Sequence, residues 1–387
     1  TSFILTDINY TKSRYEYIRN FLNPEGVNAI AVKTNPLLEV LRIWTQNGCA
    51  LETASLGELA LAKAAGIKGE NLIFDSPAKT QNEIEYITQN FNAAYINADS
   101  LKELNFLQDL PNSYYVGLRI NPLIPLNSTK SLNVSSKDSK FGELLTSNKG
   151  LIQELKKYKK LDGLHLHQAS MNDDFDSLIM GIRRVVDVAN ELDGIKFINI
   201  GGGLAYDYRE SKDSDITEYF LKLRKSCPEL FNGKYKLITE FGRHYYAGGS
   251  VVYTKVQNVK DSNSGGKTVI SHIGADMFLR ESYNSNDWFH KITVYDKNFN
   301  LVHNSNKYLY NIAGPLCFAG DIPFRNHKLP EVKIGDWLKI HDVGANTFAL
   351  WSRHCSRQFP KVIGFDSKRS FLLKERESLD AIIDFWS

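Results

Sequence analysis

A lysine closes the apolar run AIAVK at Lys33. At a strand end its ordinary reading is a solvated charge. Its chemical reading is a Schiff-base amine, because lysine loses its proton readily when buried. In HLHQAS, His165 and His167 stand two apart, so on a strand both rings share one side. They read as packed core rings, as a metal pair, or as one ring lying over a flat cofactor. NIGGGLAYDY carries Gly201, Gly202 and Gly203 in succession. Amides without Cβ obstruction can cradle a phosphate. A tight turn explains the triplet equally well, and the spacing is not that of a dinucleotide site. Glu240 of ITEFGR is an ion-pair partner for Arg243, or the carboxylate that keeps a cofactor ring nitrogen protonated. Cys317 lies in the turn GPLCFAGD, beside Phe318 and before Asp321. In isolation it reads as a small buried residue. Lysine, phosphate cradle, stacking histidine and carboxylate are together the parts of a pyridoxal 5'-phosphate site. No metal is expected. Metal hydrolases on barrels carry H-x-H on the first strand with further His and Asp ligands, whereas the other strand ends here offer Lys, Glu, Gly and Arg.

These residues need elements that bring them together. Across the first 245 residues, short β-branched runs alternate with helical patterns. The strand candidates are residues 29–33, 50–54, 72–76, 93–98, 115–121, 163–168, 197–202 and 237–243. Helical periods such as LGELALAKAAG and FDSLIMGIRRVVDVANEL lie between them. Alternation of this kind implies right-handed βαβ units and a parallel sheet. A count of eight points to a closed (β/α)8 TIM-like barrel over residues 1–247. Lys33, Glu52, Arg119, His167, the glycine triplet, Glu240 and Arg243 all fall at C-terminal strand ends, which share one rim in such a barrel. From residue 248 to 387 the pattern becomes strand and turn, as in SVVYTKVQNV, KTVISHI, KITVYD and DWLKIHDV. This predicts an antiparallel β domain, with SNSGGK as a loop tip.

Composition bounds the partners. The chain has 387 residues, room for a barrel and a second domain, with a net charge of +3. That balance, without a run of five like charges, argues against nucleic acid and leaves room for a small anionic ligand. The four cysteines form no C-x-x-C pair, so neither a disulfide framework nor a zinc ribbon is expected. No apolar run reaches the length of about 18 residues that would suggest a membrane span. Reduced thiols fit a cytoplasmic compartment, or an organellar one if a targeting segment once preceded Thr1.

The ordered motifs AVKTN, ETASLGELALAKAAGI, LRINP, SKFG, GLHLHQAS, NIGGGL, EFGRHYYA, GPLCFAGD, LPEVKIGDWL and SRHCSR resemble those of the barrel-type (fold type III) pyridoxal-phosphate amino-acid decarboxylases, and most of all the diaminopimelate decarboxylases. The resemblance runs over nearly the whole chain. It implies that Lys33 carries the cofactor as a Schiff base and that His167 stacks on its ring. Ser170, Gly201, Gly202, Gly203, Gly242 and the backbone near Arg243 would bind the phosphate, and Glu240 the pyridine nitrogen. It further implies a homodimer with shared active sites. In it Cys317, from the partner chain, acts near the substrate α-carbon, to which it or a water returns a proton, and Lys140 meets Asp321 across the interface. Glu240 is the decarboxylase choice at the ring nitrogen, where alanine racemases of similar architecture carry arginine.

The departures from this family cluster on substrate recognition. Phe318 stands where diaminopimelate decarboxylases usually have the glutamate that meets the distal amine. Asn346 replaces a phosphate-contacting tyrosine, His354 and Cys355 stand in YNSR, and Glu281 follows Arg280 with Tyr283 one residue early. Arg243 and Arg280 match arginines that hold a distal carboxylate, a directional, charge-assisted recognition. The expected reaction is decarboxylation of an amino acid bearing a distal carboxylate, with meso-diaminopimelate going to L-lysine as the leading candidate. The alternatives are another basic amino acid, a carboxylated biosynthetic intermediate, and a non-catalytic regulatory homologue.

Overall fold

A computed structural model describes residues 2–125, 134–261, 266–285, 287–303 and 306–387. Most of the expected SNSGGK loop tip, residues 262–265, lies outside them. The chain forms two compact units: residues 14–206 with 213–244, and residues 1–13 with 207–212 and 245–387.

In the first unit, eight strands follow the chain: β1 (Val27–Ala31), β2 (Ala50–Thr53), β3 (Leu72–Phe74), β4 (Ala94–Ala98), β5 (Tyr114–Asn121), β6 (Gly163–His165), β7 (Phe197–Asn199) and β8 (Lys236–Phe241). Each pairs in parallel with the next, and β8 pairs with β1, closing the barrel. The strands are buried on both faces, as β2 and β4 show throughout; hence their uninterrupted apolar character. The connecting helices begin at side-chain caps written in the sequence. Ser55 caps Leu56–Ala64, Thr80 and Glu83 form a reciprocal capping box on Gln81–Asn90, and Asp174 caps Phe175–Asn190. Between the strands, Ala29, Ala50, Ile73, Tyr95, Phe197 and Ile238 form one buried cluster. Gly117 and Gly163 make room for it, since a Cβ on either would meet the Phe197 ring at 2.9 and 2.4 Å.

The second unit holds two sheets. The larger has six strands, in the order Ile292–Tyr295, Trp337–Ile340, Ser250–Lys255, Ser2–Asp7, Lys361–Phe365, Ser370–Lys374. The smaller runs Asn258–Asp261, Lys267–Ile270, Tyr308–Ala313, Phe324–Leu329. The pairing is antiparallel with two exceptions: Ser2–Asp7 beside Lys361–Phe365, and Lys267–Ile270 beside Tyr308–Ala313. Ser2–Asp7 is thus an inner strand of this sheet, and a boundary at 247/248 does not describe the first thirteen residues. The cause is pairing: Phe3 stacks on Tyr253 with centroids 5.2 Å apart, and Ile4 is fully buried.

Candidate active site

At the C-terminal ends of the barrel strands lies a cavity of about 300 Å³, lined by Lys33, Glu52, Asp75, Arg119, His165, His167 and Glu240 among others. They arrive from six different strands or the turns after them, His165 and His167 sharing β6 and its turn. Lys33 sits in the 3-10 turn Val32–Thr34 that ends β1. Its side chain is half exposed, and Nζ donates to Glu52 Oε2 at 2.5 Å. Burial disfavours its charge, but Glu52 outweighs this and holds the ammonium above its ordinary range. Burial likewise pushes the Glu52 carboxyl up, against the pull of Lys33.

Across the cavity, Asn199 at the end of β7 donates its amide to Glu240 Oε1. The other Glu240 oxygen lies 3.5 Å from His165 Nε2. Asp75 completes the group: Asn97 Nδ2 donates to its Oδ1 at 2.6 Å, while Oδ2 is 3.8 Å from His165. Burial and then the neighbouring Glu240 push the Asp75 carboxyl up to about 7. Burial also raises Glu240 and drives His165 down to about 3, so that ring is neutral. Asp75 Oδ2 and both His165 ring nitrogens are buried without a hydrogen-bond partner among the described residues. Groups left so cost about 1–3 kcal/mol each, and they are the kind of atom that a polar, ring-bearing ligand satisfies. Asp75, His165 and Glu240 place their ligand atoms within 4.8 Å of one another. His167 stands outside that trio, so the H-x-H spacing does not deliver two imidazoles to one point.

The His167 Nδ1 accepts the Gly202 amide at 3.2 Å, which fixes the neutral tautomer with its proton on Nε2. Burial holds its pKa well below the ordinary histidine value. The glycine triplet is demanded by close backbone approach as much as by any ligand. A Cβ would meet the Leu166 carbonyl at 2.5 Å from Gly201, that of Glu240 at 2.3 Å from Gly202, and that of Ala169 at 2.1 Å from Gly203. Gly201 and Gly203 also have positive φ, 65° and 100°. The Gly201 amide is taken by Asn199 Oδ1 and that of Gly202 by His167, so two of the triplet's three amides already have acceptors. Ser170 follows Ala169 on the facing loop. Gly242 packs on Thr34, its hypothetical Cβ 2.0 Å from Oγ1, and buried Arg243 opens the four-residue helix Arg243–Tyr246.

Cavity, lysine, carboxylates and a flat neutral imidazole suit pyridoxal phosphate: an amine for its aldehyde, a buried carboxylate for its ring nitrogen, an aromatic face for its ring. Sequence reasoning missed Asp75, Asn97 and Asn199. Each is a polar residue at or beside the end of an apolar barrel strand, but no local pattern sets it apart from an ordinary strand-end residue.

The remaining candidates, apart from Lys140, belong to the second unit. Cys317 is exposed, in the loop between Tyr308–Ala313 and Phe324–Leu329, not the buried small residue its turn suggested in isolation. Phe318 stacks on Tyr283 (centroids 6.3 Å apart, 15° between planes) and meets His354 edge-on at 5.7 Å. Arg280 lies over the Trp288 ring at 5.0 Å. Glu281 is buried and bonded to His290 at 3.0 Å, which explains the acid where the family has proline. Asn346 takes φ of 52°, a left-handed conformation asparagine tolerates well. Asp321 is 3 % exposed, and its two oxygens accept the Ala275 and Leu316 amides, each at 2.6 Å. It therefore pins the Cys317 loop within its own chain. Lys140, exposed, lies over Phe141 at 4.9 Å.

Two family models match the chain: the pyridoxal binding domain of pyridoxal-dependent decarboxylases over residues 11–247, and their C-terminal sheet domain over residues 166–344. The diaminopimelate decarboxylase of Methanocaldococcus jannaschii is 29% identical over 381 residues, covering 93% of this chain and 83% of the relative. The crystal structure of that organism's enzyme in complex with L-lysine aligns with a TM-score of 0.84 at 26% identity, over 99% of this chain and 91% of the other. The Helicobacter pylori diaminopimelate decarboxylase shares the fold at a TM-score of 0.87 and 24% identity, over 100% and 96% of the two chains. With a lysine, a carboxylate and an imidazole on the rim of a closed eight-stranded barrel, and a family model spanning more than half its length, this chain belongs to the pyridoxal-dependent decarboxylases, carboxy-lyases that use pyridoxal 5'-phosphate.

Proposed function

We propose that this protein decarboxylates meso-diaminopimelate to L-lysine. The observation that carries the reading is the single cavity in which Lys33, Glu240 and His167 meet. Pyridoxal phosphate supplies a pyridinium that accepts the electron pair released when the α-carboxylate leaves as carbon dioxide. Lys33 provides the attachment amine. It must lose a proton to react, and Glu52 Oε2, 2.5 Å away with a raised affinity for protons, is the acceptor in place. Glu240, oriented by Asn199, holds the proton on the ring nitrogen. His167 offers a neutral face for stacking. Phosphate binding falls to Ser170, the Gly203 amide and the backbone at Gly242 and Arg243.

Cys317 returns a proton to the α-carbon. The nearby Cys355 thiol pushes its pKa up, which keeps the proton on sulfur until it is needed. In this reading the protein is a cytoplasmic homodimer, and each Cys317 serves the partner's barrel. Arg243 and Arg280 hold the distal carboxylate.

Phe318 favours a second substrate within the same chemistry. Its stack with Tyr283 and His354 puts aromatic rings, not a carboxylate, beside Cys317, which suits an acid whose distal amine is absent or masked. Cofactor-loaded protein given meso-diaminopimelate should release carbon dioxide and L-lysine, and K33A should release neither. Carbon dioxide from ornithine, arginine or a carboxylated conjugate, with no lysine from diaminopimelate, would reject diaminopimelate as the substrate. No carbon dioxide from any of them would reject catalysis.

A further inference from the structure

Two of the four thiols, Cys49 and Cys227, are buried, whereas Cys317 and Cys355 are exposed and lie within interaction range of each other. They sit 38 residues apart in sequence, and four contacts within this unit bring their loops together. Phe318 and His354, each next in sequence to one thiol, are in edge-to-face contact at 5.7 Å. Asp321 fastens the Cys317 loop to the amide of Ala275 at 2.6 Å. Arg357 fastens the Cys355 loop to Asp276 Oδ2 at 2.7 Å, and the Ser352 amide donates to the Asp276 carbonyl at 2.8 Å. Both loops are thus moored to adjacent residues of one segment. Cys355 and Ser356 are successive non-glycine residues with positive φ, 58° and 48°, a turn held by its surroundings.

We propose that Cys317 and Cys355 form a reversible dithiol–disulfide pair, a modification site that withdraws the Cys317 thiol by oxidation. The oxidant is a small-molecule disulfide of the glutathione class. One protein thiolate attacks a sulfur of that disulfide; its S–S bond breaks, one glutathione thiolate leaves, and a mixed disulfide forms. The second protein thiolate attacks the protein-bound sulfur and expels the second glutathione. Two protein thiols are oxidised, one disulfide is reduced to two thiols, and the two protons pass to the departing glutathiones. The buried Cys49 and Cys227 take no part. A dithiol such as dithiothreitol reverses the exchange. Loss of activity on oxidation rests on the proposed role of Cys317, whereas formation of the bond does not.

The cofactor-loaded protein is incubated with oxidised glutathione and digested without reduction. Mass spectrometry should find the Cys317 and Cys355 peptides joined, with no glutathione retained. Decarboxylation should fall in step and return with dithiothreitol. C355S should instead keep glutathione on Cys317. A stable glutathione adduct on Cys317 in the unmodified chain, or two free thiols after treatment, overturns the proposal. A joined peptide with full activity supports the pair and removes Cys317 from the proton-transfer role.

Discussion

Asp75 is a residue whose charge depends strongly on its surroundings. Its folded pKa of about 7 lies above the value near 3.9 of an unfolded aspartate. Between those values the folded chain keeps a proton that the unfolded chain has released, so stability falls as pH rises from about 4 to about 7. His165 acts in the opposite sense. With a folded pKa of about 3, below the ordinary value near 6.5, it costs stability as pH falls through that range. In cofactor-free protein, D75N should therefore stabilise more at pH 8 than at pH 4, as read from urea unfolding at both. Lys33 yields a second expectation. Since Glu52 raises its pKa, E52Q should shift the pH profile of pyridoxal phosphate capture to lower pH, measured by the absorbance of the Schiff base. An unmoved profile would show that Glu52 does not hold the proton on Lys33. Lys33 and Glu240 are legible in the sequence because a charge at the end of an apolar strand is conspicuous. Asp75 and Asn199 are not: their significance lies in the partners Asn97, His165 and Glu240, which only closure of the barrel supplies.

Among the elements, the barrel strands and their helices announce themselves by apolar runs, helical period and Ser, Thr or Asp caps. The glycine loop after β7 was half legible. The triplet marks it, but its reason is that the backbone passes against the carbonyls of Leu166, Glu240 and Ala169, which no local pattern encodes. G202A should thus act on two levels. Overpacking costs about 1–3 kcal/mol, and because the obstructing atom is the Glu240 carbonyl, displacement of β8 should also weaken cofactor affinity. Equilibrium dialysis of pyridoxal phosphate, alongside a thermal melt, separates the two effects. The Cys317 loop offers a cleaner case. D321A removes the acceptor of two buried amides, at about 1–3 kcal/mol. It should loosen that loop, read as faster alkylation of Cys317 by iodoacetamide in an otherwise folded protein.

For the molecule as a whole, the dimer is the arrangement to test. If each Cys317 serves the partner's barrel, mixing inactive K33A and C317A protomers under exchanging conditions should restore about one quarter of wild-type activity, from hybrids with one complete site. No recovery, with exchange verified by mass, would place both groups of a site in one chain. No described helix is long and apolar enough to cross a membrane. The two-part architecture was plain from the change of period near residue 248, but the placement of Ser2–Asp7 was not. Its apolar Phe3, Ile4 and Leu5 show no polar alternation, and its partners lie some 250 and 360 residues further on. I4A should accordingly cost about 2–5 kcal/mol, as for other fully buried aliphatics, measured as lost stability of the sheet unit. The same connectivity orders events at the ribosome. Ser2–Asp7 leaves before the barrel and waits, unpaired, while residues 14–244 are translated and are free to fold behind it, and the six-stranded sheet closes only when residues 361–374 are released. A nascent chain arrested near residue 280, before Ser250–Lys255 leaves the tunnel, should show a protease-resistant barrel with residues 2–7 still open to cleavage.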